Sequence, residues 1–424
     1  MILLLLVLTA LGCRAADVAG LRKTIAEAAG EEAVSLAELY RHLHRNPEVS
    51  EREQATSARV AEELRKAGFE VTPKLGGHGV VGLLRNGDGP TVLIRTDLDA
   101  LPVEESTGLP YASQNKGVMH ACGHDMHMTA FAGTARVLSR LKSHWKGTVL
   151  MLGQPAEETV GGAARMIAEG LYQRFPRPDY CLALHVDAAL ETGKVGYRAG
   201  CILANVDAVD ITIRGLGGHG AYPHRTKDPV VLAAQVVLAL QTIVSREMSP
   251  IEPAVVTVGR IQGGTRRNII PDQVEMQLTV RTYTDAARAQ VLAAIERITR
   301  GVVSAAGLPE DRAPIVRVRE DERSPATCND PQLTRRGVDA IRAVLGEAAV
   351  VERDPEMGAE DFGLFGKVQP PIPIFMFRLG TIEPQRLAQP PLPGLHSSRF
   401  WPAIDPTIRT GIQAMTAAAL AVLK

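Results

Sequence analysis
The sequence predicts a split α/β protein: a larger domain with a mixed, mostly parallel sheet, interrupted by a smaller ferredoxin-like domain. Three observations predict it. From Ser35 to Gly193 short apolar runs alternate with helical stretches, which argues for a sheet covered on both faces. From residue 205 to a last strand at Pro314–Arg319 the elements follow a βαββαβ order, with apolar–polar alternation in Val206–Arg214 that marks a strand with one solvated face. After that strand the α/β pattern resumes. A chain of 424 residues is also too long for one core. The expected divisions are a leader at 1–16, a larger α/β domain at 17–200 and 314–424, and an inserted domain at 201–313.

The elements follow in order. Ile2–Leu8 is apolar throughout and leads to Gly12-Cys13. It is far shorter than the roughly 20 residues a membrane-spanning helix needs, and resembles a secretory leader ending at a bacterial lipoprotein cleavage site. Export to the periplasm or cell envelope is expected, with Cys13 lipidated as the single tie to a membrane. Glu51–Ala67 is helical and stops at Gly68. Strands are expected at Val80–Leu84, Thr91–Arg95, Thr148–Leu152 and Tyr180–Leu184, with helices at His124–Leu141 and Gly162–Glu169. The inserted domain has helices at Val230–Arg246 and Ala286–Val303 and strands at Ala254–Ile261, Gln273–Thr282 and Pro314–Arg319. Helix Gln332–Leu345, strand Ile374–Phe377 and helix Pro406–Leu423 complete the chain.

Composition narrows the function. Hydrophobic residues make up 45% and charged residues 22%, and Lys+Arg and Asp+Glu balance at 47 each. A neutral chain lacks the basic footprint of a nucleic-acid binder. Five cysteines cannot build a disulfide scaffold. If Cys13 is consumed by processing, Cys122, Cys181, Cys201 and Cys328 remain, free to pair in an exported protein.

Chemistry-bearing residues gather at strand ends, where ligands bind in open α/β sheets. Asp97-Leu98-Asp99 follows one strand, Glu157-Glu158 another, and His185 ends a third. His120-Ala-Cys122-Gly-His124-Asp125-Met-His127 opens a helix. A lone histidine after a strand is usually structural, and adjacent glutamates are usually solvated. Three His, a Cys and an Asp within eight residues, in a chain with 11 His, instead form a donor set for a borderline-soft divalent metal. Such an ion polarises a carbonyl and lowers the pKa of water to ~7. A carboxylate that is not a ligand must then move the proton, and Glu157-Glu158 offers one of each. No Gly-x-Ser-x-Gly elbow, P-loop or dinucleotide fingerprint competes.

These segments resemble the M20 metallopeptidases and amidohydrolases, most closely the aminoacylase and hippurate-hydrolase branch. The resemblance rests on Arg95-Thr-Asp97-Leu-Asp99-Ala-Leu-Pro102, His120–Asp125, Gln154-Pro-Ala-Glu157-Glu158, Leu184-His185-Val186, Gly217-Gly-His219-Gly-Ala-Tyr-Pro-His224, Gly263–Pro271, Met357-Gly-Ala-Glu360-Asp361-Phe362 and His396-Ser-Ser-Arg-Phe400, in order from Leu39 to the C-terminus. It implies two divalent ions, zinc first and Mn²⁺, Co²⁺ or Ni²⁺ as alternatives, held by Cys122, His124, Glu158, His185 and His396. Glu157 would be the general base for a metal-bridging hydroxide, and Asp97, Asp99 and Asp125 would stand behind the ligands and orient them. His219 would reach the neighbouring subunit of a homodimer to stabilise the oxyanion. Asn268, Arg281 and Glu360 would bind substrate, the arginine fork suiting a carboxylate. The implied reaction is hydrolysis of N-acyl amino acids. Dipeptidase or carboxypeptidase action is the alternative among enzymes, and an exported metal- or solute-binding protein with lapsed catalysis is the alternative outside them.

Overall fold
The structure is a computed structural model that describes the backbone of residues 2–423 and the side chains of residues 20–423. The expected leader and lipidated Cys13 carry side chains that lie outside the described residues. The chain divides into two compact units, one of Met1–Ile202, Cys328–Asp354 and Asp361–Lys424, the other of Leu203–Thr327 with Pro355–Glu360.

The first unit is built on an eight-stranded sheet. Its spatial order is Glu70–Leu75, Gly79–Asn86, Gly147–Gln154, Thr91–Asp97, Tyr180–Glu191, Ile374–Ile382, Val195–Tyr197 and Val350–Glu352. The four central strands, Gly147–Gln154 to Ile374–Ile382, run parallel to one another. Central parallel strands are buried on both faces and therefore read as continuous apolar runs; every residue of Ile374–Ile382 is buried. Helices His124–Arg140, Pro331–Leu345 and Ile404–Val422 supply apolar faces to this core, as does the first helix, Ile2–Arg45. Helix Pro331–Leu345 starts where the sequence dictates: Asp330 accepts from the Leu333 N–H, and Pro331 occupies the first turn, where no N–H is needed.

The second unit carries a four-stranded antiparallel sheet in the order Ala254–Gln262, Gln273–Thr282, Val206–Arg214, Ile315–Ser324. Burial alternates strictly along Val206–Arg214 and Gln273–Thr282, because one face packs on helices Pro229–Thr242 and Asp285–Ala305. Strand Ile315–Ser324 pairs with Val206–Arg214 and so stays with this unit, which ends at Thr327 rather than at 313. Segment Pro355–Glu360 also joins it, through a bridge from Glu356 to Leu203.

The mixed, mainly parallel sheet and the βαββαβ unit agree with the sequence reading. Several features exceed it, among them the short strands Val195–Tyr197 and Val350–Glu352. Glu70–Leu75 is an additional edge strand, and the strand holding His185 continues to Glu191. A disulfide joins Cys201 to Cys328, the residues that flank the excursion of the chain into the second unit.

Candidate metal centre
Strand register brings the first donors level. Arg95 pairs with Ala183, and Asp97 with Gln154, on parallel strands. Asp97 therefore lies beside His185, two residues beyond Ala183, and the turn after Gln154 carries Glu157 and Glu158. Helix His124–Arg140 begins at the same edge, with Gly123 as its N-cap in the left-handed region at φ 78°. His396 arrives from far along the chain and is anchored by its N–H to the Ala121 carbonyl at 2.9 Å.

Two groups of donors share one sulfur. Cys122, His124 and His185 form one, and Cys122, Glu158 and His396 the other, with the ligand atoms of each group within 4.8 Å of one another. Cys122 Sγ stands 3.6 Å from His185 Nε2, and His396 Nε2 stands 3.7 Å from a Glu158 oxygen. Glu157 Oε2 and Glu158 Oε1 face His124 Nε2 at 4.0 and 3.8 Å.

Hydrogen bonds decide which imidazole nitrogen is available. His185 donates Nδ1–H to the Val186 carbonyl at 2.8 Å, and His124 donates Nδ1–H to the Asp99 carbonyl at 2.8 Å. Each therefore turns its Nε2 into the group. His127 differs. Its Nδ1–H goes to Asp97 at 2.8 Å and its Nε2 accepts from the Val186 N–H at 2.9 Å, so both nitrogens are spent on positioning. His120 is buried with neither ring nitrogen bonded among the described residues, and burial pulls its pKa down to about 4.

A chain of buried polar contacts backs the donors. Arg95 donates to Asp97 at 2.8 Å, to Gln154 at 2.8 Å and to Asp361 at 3.2 Å; Asp361 also accepts from Gln154 and from the Ala163 N–H. Asp99 accepts from Ser50 at 2.6 Å and from the Glu158 N–H at 3.0 Å. Asp125 takes a 2.6 Å bond from His44 Nδ1, while His44 Nε2 faces Glu105 at 3.3 Å. The roles of Arg95, Asp361, His44 and Glu105 were not drawn from sequence. The signal for two of them was present, since an arginine inside a buried strand and an acid beside Phe362 both need partners.

The electrostatics fit a cation. Burial raises Glu158 to about 7, with Asp99 and Asp97 adding to it against the pull of His124. Burial, with Glu158 beside it, also pushes the Cys122 thiol up. Burial holds His185 well below its ordinary value, leaving a neutral imidazole. Buried His124 Nε2 and Glu158 Oε1 have no hydrogen-bond partner among the described residues. Buried orphan donors beside crowded acids are costly unless a metal takes them. Strain collects here too: Ala156, Val160 and His396, at φ 52°, 59° and 64°, are three of the five non-glycine residues in the left-handed region among the described residues. Each costs about 1–3 kcal/mol and persists where surrounding structure holds it.

The remaining expected residues belong to the second unit. The strands Gly218–His219 and Ile269–Ile270 pair, and the Gly220 N–H bonds the Asn268 carbonyl at 2.9 Å, so exposed His219 and Asn268 are neighbours. Arg281 is half-buried and donates to the Met357 carbonyl at 2.8 Å. Glu360 is buried, and its carbonyl accepts from Ser324 and Thr327.

Comparison with known proteins gives one answer. Residues 93–421 match the family described as peptidase family M20/M25/M40. An N-acetyl-L-cysteine deacetylase of Bacillus subtilis is 38% identical, over 77% of this chain and 76% of its own. Thermostable carboxypeptidase 2 of Saccharolobus solfataricus is 38% identical, over 86% and 90%. The crystal structure of the Bacillus subtilis YXEP protein, described as a dinuclear metal-binding peptidase of the M20 family, superposes with a TM-score of 0.77 at 30% identity, covering 93% of this chain and 99% of that one. The donor groups around Cys122 stand on the fold those relatives share, and the chain belongs to peptidase family M20/M25/M40 as a metal-dependent amide hydrolase.

Proposed function
We propose that this protein hydrolyses the amide bond of N-acyl amino acids, releasing a carboxylic acid and a free amino acid. The observation that carries the reading is the pair of donor groups meeting at Cys122 with Glu157 beside them. Cys122, His124 and His185 would hold one divalent ion, and Cys122, Glu158 and His396 a second. Thiolate and imidazole donors favour zinc over Mn²⁺, Co²⁺ or Ni²⁺. Bound there, the ions supply Lewis-acid polarisation of the amide carbonyl and acidify water.

The chain's own residues supply the rest. Glu157 Oε2 accepts a proton from the attacking water and returns it to the departing nitrogen. Asp97 fixes His127, which in turn fixes the Val186 N–H beside His185; Asp99 and Asp125 brace His124 and the turn around it. His219, Asn268, Arg281 and Glu360 are assigned to oxyanion stabilisation and substrate binding in a homodimer. The deacetylase relative favours an acyl amino acid, whereas the carboxypeptidase relative favours a peptide as second reading. Kinetics on N-acetyl amino acids against dipeptides separate them. Export, with Cys13 anchored in a membrane, is part of the proposal and is supported by the Cys201–Cys328 disulfide, a bond of oxidising compartments.

The test is Glu157→Gln. Turnover should fall by about 10²–10⁴-fold while metal content, read by elemental analysis, stays near two ions per chain. Substantial residual activity would remove Glu157 from its role.

A further inference from the structure
The loop that delivers His396 also walls a cleft of about 300 Å³ in the first unit. Ser106, Thr107, Arg386, Leu392, Arg399 and Trp401 line it, and no acidic side chain does among the described residues. Its two guanidinium groups differ in character. Arg386 is half-buried, with Cζ 3.5 Å from the Trp401 ring centroid and one N–H given to the Trp401 carbonyl at 2.9 Å. Stacking and that bond fix the plane of the fork, while its other N–H groups make no hydrogen bond among the described residues. Arg399 is exposed, and its guanidinium pairs with no acid among them. Ser106 ties the wall to the metal loop: its N–H reaches the Ser398 carbonyl at 2.8 Å and its hydroxyl the Ser398 hydroxyl at 2.9 Å. Glu383 acts on Arg386 from outside the lining, and the Thr107 hydroxyl already engages Glu105.

Two forks that hydrogen-bond no carboxylate among the described residues, beside an apolar side, form an unspent anion site; the hydroxyls of Ser106 and Thr107 are already engaged by Ser398 and Glu105. Planar guanidinium forks suit carboxylates. A bare inorganic oxyanion, a few water volumes of ~30 Å³ each, would leave the cleft mostly empty. We propose that this cleft binds a small organic carboxylate, gripped by Arg386 and Arg399 with its carbon skeleton against Leu392. The carboxylate comes either from a second acidic group on the substrate or from a free acid. Only the first source rests on the proposed reaction.

The chain has two tryptophans, and Trp145 is buried with its indole N–H on the Leu138 carbonyl, so Trp401 is the reporter. Full-length, metal-loaded protein titrated with benzoate should show a saturable change in indole emission, matched by calorimetry. Arg399→Gln should weaken it about tenfold or more, the loss of a hydrogen-bonded charge; Arg386→Gln is the second variant, should the first prove too exposed to matter. The Glu157→Gln protein should bind benzoate as the parent does, which keeps this result independent of turnover. Hydrolysis then identifies the source. If Arg399→Gln raises KM for N-acetylglutamate and not for N-acetylalanine, the carboxylate is the substrate's own; if both stay equal while benzoate binding is lost, it is a free acid. No saturable binding, or binding unchanged in both variants, overturns the site.

Discussion
A methyl group at position 123 has nowhere to go. Its Cβ would meet Val186 Cγ2 at 2.6 Å, and the backbone there has φ +78°. Gly123 lies between Cys122 and His124, so the clash and strain fall on the two donors nearest it. Gly123→Ala should cost about 1–3 kcal/mol of stability and should lower metal content as well, read by thermal melting and elemental analysis. A variant that melts and loads like the parent would show that the turn tolerates a side chain. At this scale the sequence was informative in two ways: Cys122, His124, Glu158 and His185 stand in donor-bearing segments at strand ends, while His396 and the five as one ligand set came from the family resemblance. Their division into nitrogens that face the centre and nitrogens spent on the scaffold was not legible. His127 has the same side chain as His124 and three residues' separation; only the Asp97 and Val186 contacts distinguish them.

At the scale of elements, His44 joins the first helix to the turn after His124 and to the loop holding Glu105. Burial alone would lower its pKa, but the bonds to Asp125 and Glu105 raise it from 6.5 to about 9. Burial would raise Glu105, but His44 and the Ser113 N–H bring it from 4.5 to about 2. A raised base stabilises fully below its unfolded pKa and loses that contribution as pH climbs to about 9. A depressed acid stabilises fully above its unfolded pKa and loses its contribution as pH falls towards about 2. The pair should therefore stabilise most between about pH 4.5 and 6.5. Denaturant unfolding across pH should show a decline above that window which His44→Asn flattens; an identical alkaline limb in the variant would rule out His44 as its source. The long apolar strands and capped helices were readable from pattern. Glu70–Leu75 was not, since Pro73 and largely solvent-facing residues give an edge strand no apolar signature.

Across the whole molecule, the Cys201–Cys328 bond closes a span of 127 residues around the second unit. Closing so long a loop restricts the unfolded chain, and its loss typically costs about 2–5 kcal/mol. Mild reduction, or Cys201→Ser with Cys328→Ser, should lower the melting temperature; an unchanged melting point would make the bond incidental. The sequence left this pairing open, because partners so far apart in the chain are set by tertiary path and not by spacing. The inserted unit itself was legible from its element order, down to a last strand at Pro314–Arg319, though the boundary drawn at 313 cut that strand away from the sheet it joins. That insertion also orders events in time. A chain made from its N-terminus has Cys122, His124, Glu158 and His185 in hand early, yet the second unit and nearly all of the remaining length must emerge before His396 can close the second group. Any chain cut short by its final helix and the loop before it holds one corner of the centre for good.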